Sequence, residues 1–134
     1  MIFDLLKEIE KEVNRDEYIS YGASYFLAVE ELKFQITDMI SLHRLFVKLE
    51  TDMKEGALNP AEITDRSADF KMINDLWHFK DDITRKLMNV IGDADAYYRL
   101  FDKDDVISRG NVNDIFRIVK RDNELVLLEF YACD

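Results

Sequence analysis

The chain has 134 residues and a mass of 15.8 kDa, the size of one domain, and we predict a single domain over residues 1–134. Hydrophobic residues make up 48% of the chain and charged residues 34%, a composition that excludes an intrinsically disordered protein. The 18 basic and 28 acidic residues give a net charge of -10. This charge argues against direct nucleic-acid binding, because phosphate groups are bound by a positive field.

The N-terminal segment predicts a short amphipathic helix over residues 2–14. Its apolar residues recur at steps of three and four, which places on one helical face Ile2, Leu5, Leu6, Ile9 and Val13. Asn14 and Glu17 then resemble a capping box for the next helix. The segment has acidic residues among its apolar ones and no cleavage site for a signal peptidase. No apolar run in the chain approaches the roughly 18 residues of a membrane span, so we expect a cytoplasmic protein with no membrane partner.

The next segment, residues 17–53, predicts a long helix. Its heptad-like apolar stripe contains Tyr25, Val29, Leu32, Ile36, Met39, His43 and Phe46. A straight helix of this length would span about 50 Å, which is too long for a compact domain of this size. We therefore expect a break near Gly22 or Thr37, and a short strand around residues 18–23 is the alternative.

A third helix is predicted to begin at Asn59–Glu62, where an N-cap residue is followed by proline at the first helical position and by an acid at the third. We predict that this helix continues to about Ile91, where the following glycine ends it, with an interruption near Ser67 as an alternative. Its predicted buried stripe is Met72, Leu76, Phe79, Ile83, Leu87 and Val90. A fourth helix, capped by Asp93 or Asp95, is predicted to carry Ala96, Tyr97, Leu100 and Phe101.

The C-terminal segment predicts a β-hairpin, because residues 115–120 and 125–131 are rich in β-branched and aromatic residues. With Asp122 and Asn123 as the turn, the facing pairs are Arg121 with Glu124, Val119 with Val126, Ile118 with Leu127, and Ile115 with Phe130. Both faces are apolar, so the hairpin must pack on the helices or on another chain, the latter giving a homo-oligomer. A closing helix is the alternative. The predicted fold class is mainly helical α+β: a compact bundle of about four helices with a C-terminal β-hairpin.

Two histidines are the candidates for catalytic or metal-binding groups. His43 lies within the apolar stripe, where we expect a neutral core histidine because no acid shares the stripe nearby. His78 follows Asp75 by three residues and precedes Asp81 and Asp82 by three and four, a spacing that would place carboxylates on both sides of the imidazole. No nucleophile, phosphate-loop or redox motif accompanies either histidine. We expect a solvated acidic face with no metal, no cofactor and no catalytic residue; the alternative is a small helical-bundle enzyme that uses His43 or His78 with these carboxylates.

Acidic residues are concentrated between residues 75 and 105, where aromatic residues accompany them. Such a surface suits a basic protein partner, because opposite charge steers association and an aromatic side chain anchors the complex. We therefore predict a non-catalytic acidic binding protein, of the kind exemplified by an immunity protein, an antitoxin or a phage-type inhibitor of a nuclease toxin. A structural subunit of a homo- or hetero-oligomer is a further alternative. The predicted partner-binding residues are Asp75, Asp81, Asp82, Asp93, Asp95, Tyr98, Asp102, Asp104 and Asp105.

Overall fold

A computed structural model of the chain describes residues 1–16, 18–20, 23–32, 58–101, 107–109 and 112–133. Over these residues it has three helices: α1 (Ile2–Asp16), α2 (Arg66–Trp77) and α3 (Asp81–Asp93). Seven strands accompany them: β1 (Tyr18–Ser20), β2 (Ala23–Glu31), β3 (Leu58–Glu62), β4 (Ala96–Phe101), β5 (Ile107–Arg109), β6 (Val112–Arg121) and β7 (Glu124–Cys133). None of these helices combines the length and the apolar composition that crossing a membrane requires.

The strands form one antiparallel sheet in the order β1-β2-β7-β6-β4-β3, and β5 pairs with the part of β6 that β4 leaves free. Apolar side chains from the three helices and from one face of this sheet form a shared core. The predicted compact bundle of about four helices with a C-terminal β-hairpin is therefore wrong. The sheet is the main element of the fold, and the C-terminal hairpin lies at its centre.

The hairpin itself and its register are confirmed. Val119 pairs with Val126 and Ile118 with Leu127, and the other two facing pairs are also as predicted. Asp122 occupies the left-handed region at φ 53, which an aspartate in a tight turn tolerates. Residues on both faces of the hairpin are buried. Because β7 also pairs with β2, and β6 with β4 and β5, the outer edges of the hairpin are already occupied by strands of the same chain.

Strands β1 and β2 replace the first part of the predicted long helix, and the alternative of a short strand near residue 18 is confirmed. Leu27 and Val29 are buried on β2, while Glu30 is exposed. Tyr25 and Val29 are four residues apart, a step that keeps two side chains on one face in a strand as well as in a helix. This spacing therefore did not distinguish the two structures. His43 and the rest of that stripe from Ile36 onward lie outside the described residues.

Helix α1 is confirmed, although Leu5 is 47% exposed and does not share the buried face. The predicted capping box at Asn14 is wrong, because this side chain bonds to the backbone of β2 instead. It donates to Leu27 O at 3.0 Å and accepts the Leu27 N–H at 3.2 Å. The Glu10 carboxylate accepts the Val29 N–H. Strand β1 pairs only with residues 23–25 of β2. Farther along the same edge, the Asn14 and Glu10 side chains bond to the backbone of Leu27 and Val29, so that a further strand cannot pair there.

The predicted helix start at Asn59–Glu62 is wrong, since these residues belong to edge strand β3. Pro60 is tolerated there because an edge strand leaves some of its N–H groups without a strand partner. Helix α2 begins instead at Arg66, after Asp65, whose carboxylate accepts the Ala68 N–H at 3.1 Å. The residue that caps the helix is thus Asp65, six positions after the predicted cap Asn59.

The predicted helix from residue 61 to 91 is interrupted at residues 78–80, not near Ser67. His78 adopts a left-handed conformation with φ 52, and the Asn74 side chain accepts the Phe79 N–H at 2.9 Å. The buried face of α2 also differs from the predicted one. Met72 is 38% exposed and Leu76 is 45% exposed, whereas the buried residues of α2 are Phe70, Ile73 and Trp77.

The predicted fourth helix is strand β4, which pairs with β3 and β6. Tyr97 belongs to the core shared with the helices, whereas Leu100 is buried without being part of that core. A strand that is buried on both faces gives a nearly continuous apolar run, which periodicity alone cannot distinguish from a helix. Residues 96–101 therefore needed their sheet partners to identify them as a strand.

Candidate partner-binding site

Three of the predicted partner-binding residues lie where α2 ends and α3 begins. Asp75 lies in the last turn of α2, and Asp81 and Asp82 form the first turn of α3. All three are exposed, and none of their carboxylates makes a hydrogen bond or an ion pair with another residue that the structure describes. We call Asp75, Asp81 and Asp82 the junction acids. Their carboxylates face solvent and are available to a partner.

The local electrostatics of the junction are mixed. Asp81 and Asp82 lie at the N-terminus of α3, where negative side chains are stabilised by the helix dipole. Lys80 is exposed between the two helices, and Lys71 is exposed on α2. The negative field of the chain at long range therefore reflects mainly its net charge of -10.

The other predicted residues lie elsewhere. Asp93 is at the opposite end of α3, about 18 Å away at 1.5 Å per residue. Asp95 is used internally, because its carboxylate accepts the Asp122 N–H of the hairpin turn at 2.8 Å. Tyr98 lies on β4 beside Glu62 of β3, and burial together with the Glu62 carboxylate raises the pKa of Tyr98. Outside the described residues are Asp102, Asp104 and Asp105.

The predicted arrangement of carboxylates around His78 on one helical face is not formed. His78 ends α2 in its left-handed conformation, so Asp75 lies on one helix while Asp81 and Asp82 lie on the next. Across the part of the chain that the structure describes, no three or more His, Cys, Asp or Glu residues are grouped in a way that could hold a metal ion. The prediction assumed that the helix is continuous from Asp75 to Asp82. Because the helix is broken at residues 78–80, the three carboxylates do not share one helical face with His78.

We expect zinc and manganese to leave the melting temperature of the protein unchanged. A metal that bound only the native state would add about 2.7 kcal/mol at a hundred times its dissociation constant. Thermal unfolding with and without each metal measures this, with His78→Ala as the matched variant. A saturable stabilisation that disappears in His78→Ala would contradict the expectation and restore the metal-site hypothesis.

The structure also contains a buried polar cluster that the sequence reading missed. The Arg117 guanidinium on β6 donates to Asp69 of α2 through Nε at 3.0 Å and through Nη2 at 2.7 Å. The Tyr97 hydroxyl donates to the same carboxylate at 2.6 Å. Burial and the Asp69 carboxylate raise the pKa of Tyr97 well above its usual value, so the phenol stays protonated as a donor. These groups bind one another and fix α2 on the sheet.

One signal in the sequence could have revealed this cluster. Arg117 has the same strand parity as Ile115 and Val119, both of which face the core. A charged residue at such a position requires a buried counter-charge, although the sequence does not say which acid supplies it. Arg99, opposite Arg117 on β4, keeps its Nε buried without a hydrogen-bond partner in the described structure.

Comparisons of the chain with protein-family models, with curated proteins and with solved structures found no significant match.

Proposed function

We propose that this chain is a non-catalytic acidic binding protein that binds a basic protein partner in the cytoplasm through the junction acids. The observation that carries the proposal is the state of these three carboxylates, which are exposed and unpaired among the described residues. Asp69, in contrast, is used in the core by Arg117 and Tyr97. The junction acids, unlike Asp69, are therefore available to an outside cation.

The charge of the chain supports a particular class of partner. A protein that cleaves nucleic acid must present a positive surface to phosphates. An acidic protein of net charge -10 is attracted to that same surface and can compete there with the nucleic acid. We therefore propose the role of an immunity protein, an antitoxin or a phage-type inhibitor that neutralises a nuclease toxin. No reacting group is needed for this role, because it requires only stable binding.

We expect the paired substitution Asp81→Asn and Asp82→Asn to lower the association rate constant roughly 3- to 10-fold at low salt, with a smaller effect on dissociation. Raising the salt should reduce the difference, because the Debye length falls from about 30 Å at 0.01 M to about 8 Å at 0.15 M. The measurement is surface-based kinetics against a basic protein captured from the native cytoplasm.

The matched control is Asp4→Asn with Asp93→Asn, which removes the same charge at two exposed sites away from the junction. This control should retain most of the association rate. Capture of acidic partners alone, binding that is indifferent to salt, or equal loss in the control and the junction variant would contradict the proposal.

A further inference from the structure

An apolar stripe runs along the exposed side of α2. Ala68, Met72 and Leu76 follow one another at steps of four residues, which aligns them over about 12 Å of one helical face. Met72 is 38% exposed and Leu76 is 45% exposed, and Ala68 is exposed as well. We call these three residues the α2 stripe. Single exposed apolar residues are common on proteins, but a contiguous row on one helix is typical of an interaction surface.

Helix α2 has more apolar residues than the core of this chain buries. Phe70, Ile73 and Trp77 form the buried side of the helix, and the Trp77 indole N–H donates to Tyr131 O at 3.2 Å. The α2 stripe lies on a different side of the helix, away from this contact. Met72 and Leu76 are thus left without a place in the core.

We propose that the α2 stripe binds the α2 stripe of a second copy of this chain, with the two helices antiparallel about a two-fold axis near Met72. In this register the small side chain of Ala68 lies opposite the partner subunit's Leu76, and the two Met72 side chains meet at the axis. A two-fold interface must be complementary to itself. A stripe with a small residue at one end, a large one at the other and a flexible methionine at the centre meets that requirement.

The charges beside the stripe favour the same arrangement. Lys71 and Asp75 lie on one flank of the stripe, both are exposed, and no ion pair joins them to each other or to other described residues. Across the two-fold axis, residues of the same flank approach each other. Lys71 would therefore meet the partner subunit's Asp75, and the symmetry would form this pair twice. Charge complementarity thus selects a second copy over an unrelated helix.

The interface would be small. Two helical turns from each copy bury less surface than the roughly 1,200–2,000 Å² of a standard complex, so we expect a weak dimer with a dissociation constant of roughly 10 µM to 1 mM. Asp75 is also one of the junction acids and would be used in such a dimer, whereas Asp81 and Asp82 lie on α3, beyond the stripe. The inference goes beyond the proposed function, and because the partner-binding test changes Asp81 and Asp82 alone, the two can fail independently.

Sedimentation equilibrium of the full chain, over concentrations from about 10 µM to about 1 mM, tests the first part of the proposal. We expect a monomer–dimer equilibrium that Leu76→Asp abolishes. The matched control is Leu5→Asp on α1, because Leu5 is 47% exposed and Leu76 is 45% exposed. A monomer at every concentration, or equal loss of dimer in the Leu5 and Leu76 variants, would overturn the proposal and leave the stripe to a different partner.

A charge exchange tests the antiparallel pairing. Lys71→Asp should weaken dimerisation roughly tenfold, because each of two symmetric ion pairs becomes a repulsion. Adding Asp75→Lys to that variant should restore the wild-type dissociation constant, since each pair re-forms with its charges reversed. Circular dichroism confirms that each variant is folded. Failure of the second substitution to restore dimerisation would exclude this interface.

Discussion

Replacing Asp69 with asparagine is expected to lower the free energy of unfolding by about 3–5 kcal/mol, because it removes the carboxylate that pairs with the buried Arg117 guanidinium. Arg117 is 1% exposed, and its guanidinium donates two hydrogen bonds to this carboxylate. Tyr97 also donates to it. A loss of this size is a large part of the 5–15 kcal/mol that stabilises a typical domain. Urea denaturation monitored by circular dichroism measures it.

Two variants separate the charge effect from a general effect of substitution in α2. Asp65→Asn changes the same residue type at the exposed N-cap of the helix, and it should cost only a few tenths of a kcal/mol because asparagine also caps helices. Adding Arg117→Met to Asp69→Asn should recover part of the lost stability, because it removes the buried charge that had lost its Asp69 partner. Equal costs for the Asp65 and Asp69 variants would show that the buried ion pair does not hold α2 on the sheet.

Truncation of the chain after Lys120 is expected to abolish folding. The truncation removes β7, which lies between β2 and β6 in the middle of the sheet. Among the lost side chains are the buried Val126, Leu128 and Phe130. Burying each of these is worth about 1.5–3 kcal/mol, so their sum is comparable to the total stability of a typical domain. Strand β2 would also lose its longest pairing.

Near-UV circular dichroism and size-exclusion chromatography of the truncated chain test this expectation. We expect the near-UV signal to be lost and the chain to elute as an aggregate, because the core residues facing β7 become exposed. A truncated chain that is monomeric and unfolds cooperatively at the temperature of the intact protein would contradict the central position of β7.

The sequence alone determined those features that depend on neighbours in the chain. The buried face of α1 follows from apolar residues at helical spacing, and Leu6, Ile9 and Val13 are buried as expected. The register of the hairpin follows from its two-residue turn and from the chemistry of the facing pairs. The exposure of the junction acids also follows from the sequence, since carboxylates remain at the surface unless a partner compensates for their burial.

The tertiary structure decided which apolar segments become strands. Tyr25 and Val29 satisfy a helical and a strand pattern equally, and residues 96–101 are apolar on both sides. Their pairing with β7 and β6 selects the strand, because each strand obtains its hydrogen bonds from residues distant in sequence. The use of Asn14 on the backbone of Leu27, in place of a helix cap, has the same origin.

The tertiary structure also decided the roles of individual side chains in the candidate sites. Asp69 and Arg117 are 48 residues apart, and only the docking of α2 on the sheet makes them a pair. With the helix broken at His78, the buried side of α2 is Phe70, Ile73 and Trp77, and Met72 and Leu76 are exposed. A local pattern records which residues prefer to be buried. Because only one face of each helix can pack on the core, the packing of the whole chain decides which of these residues are buried.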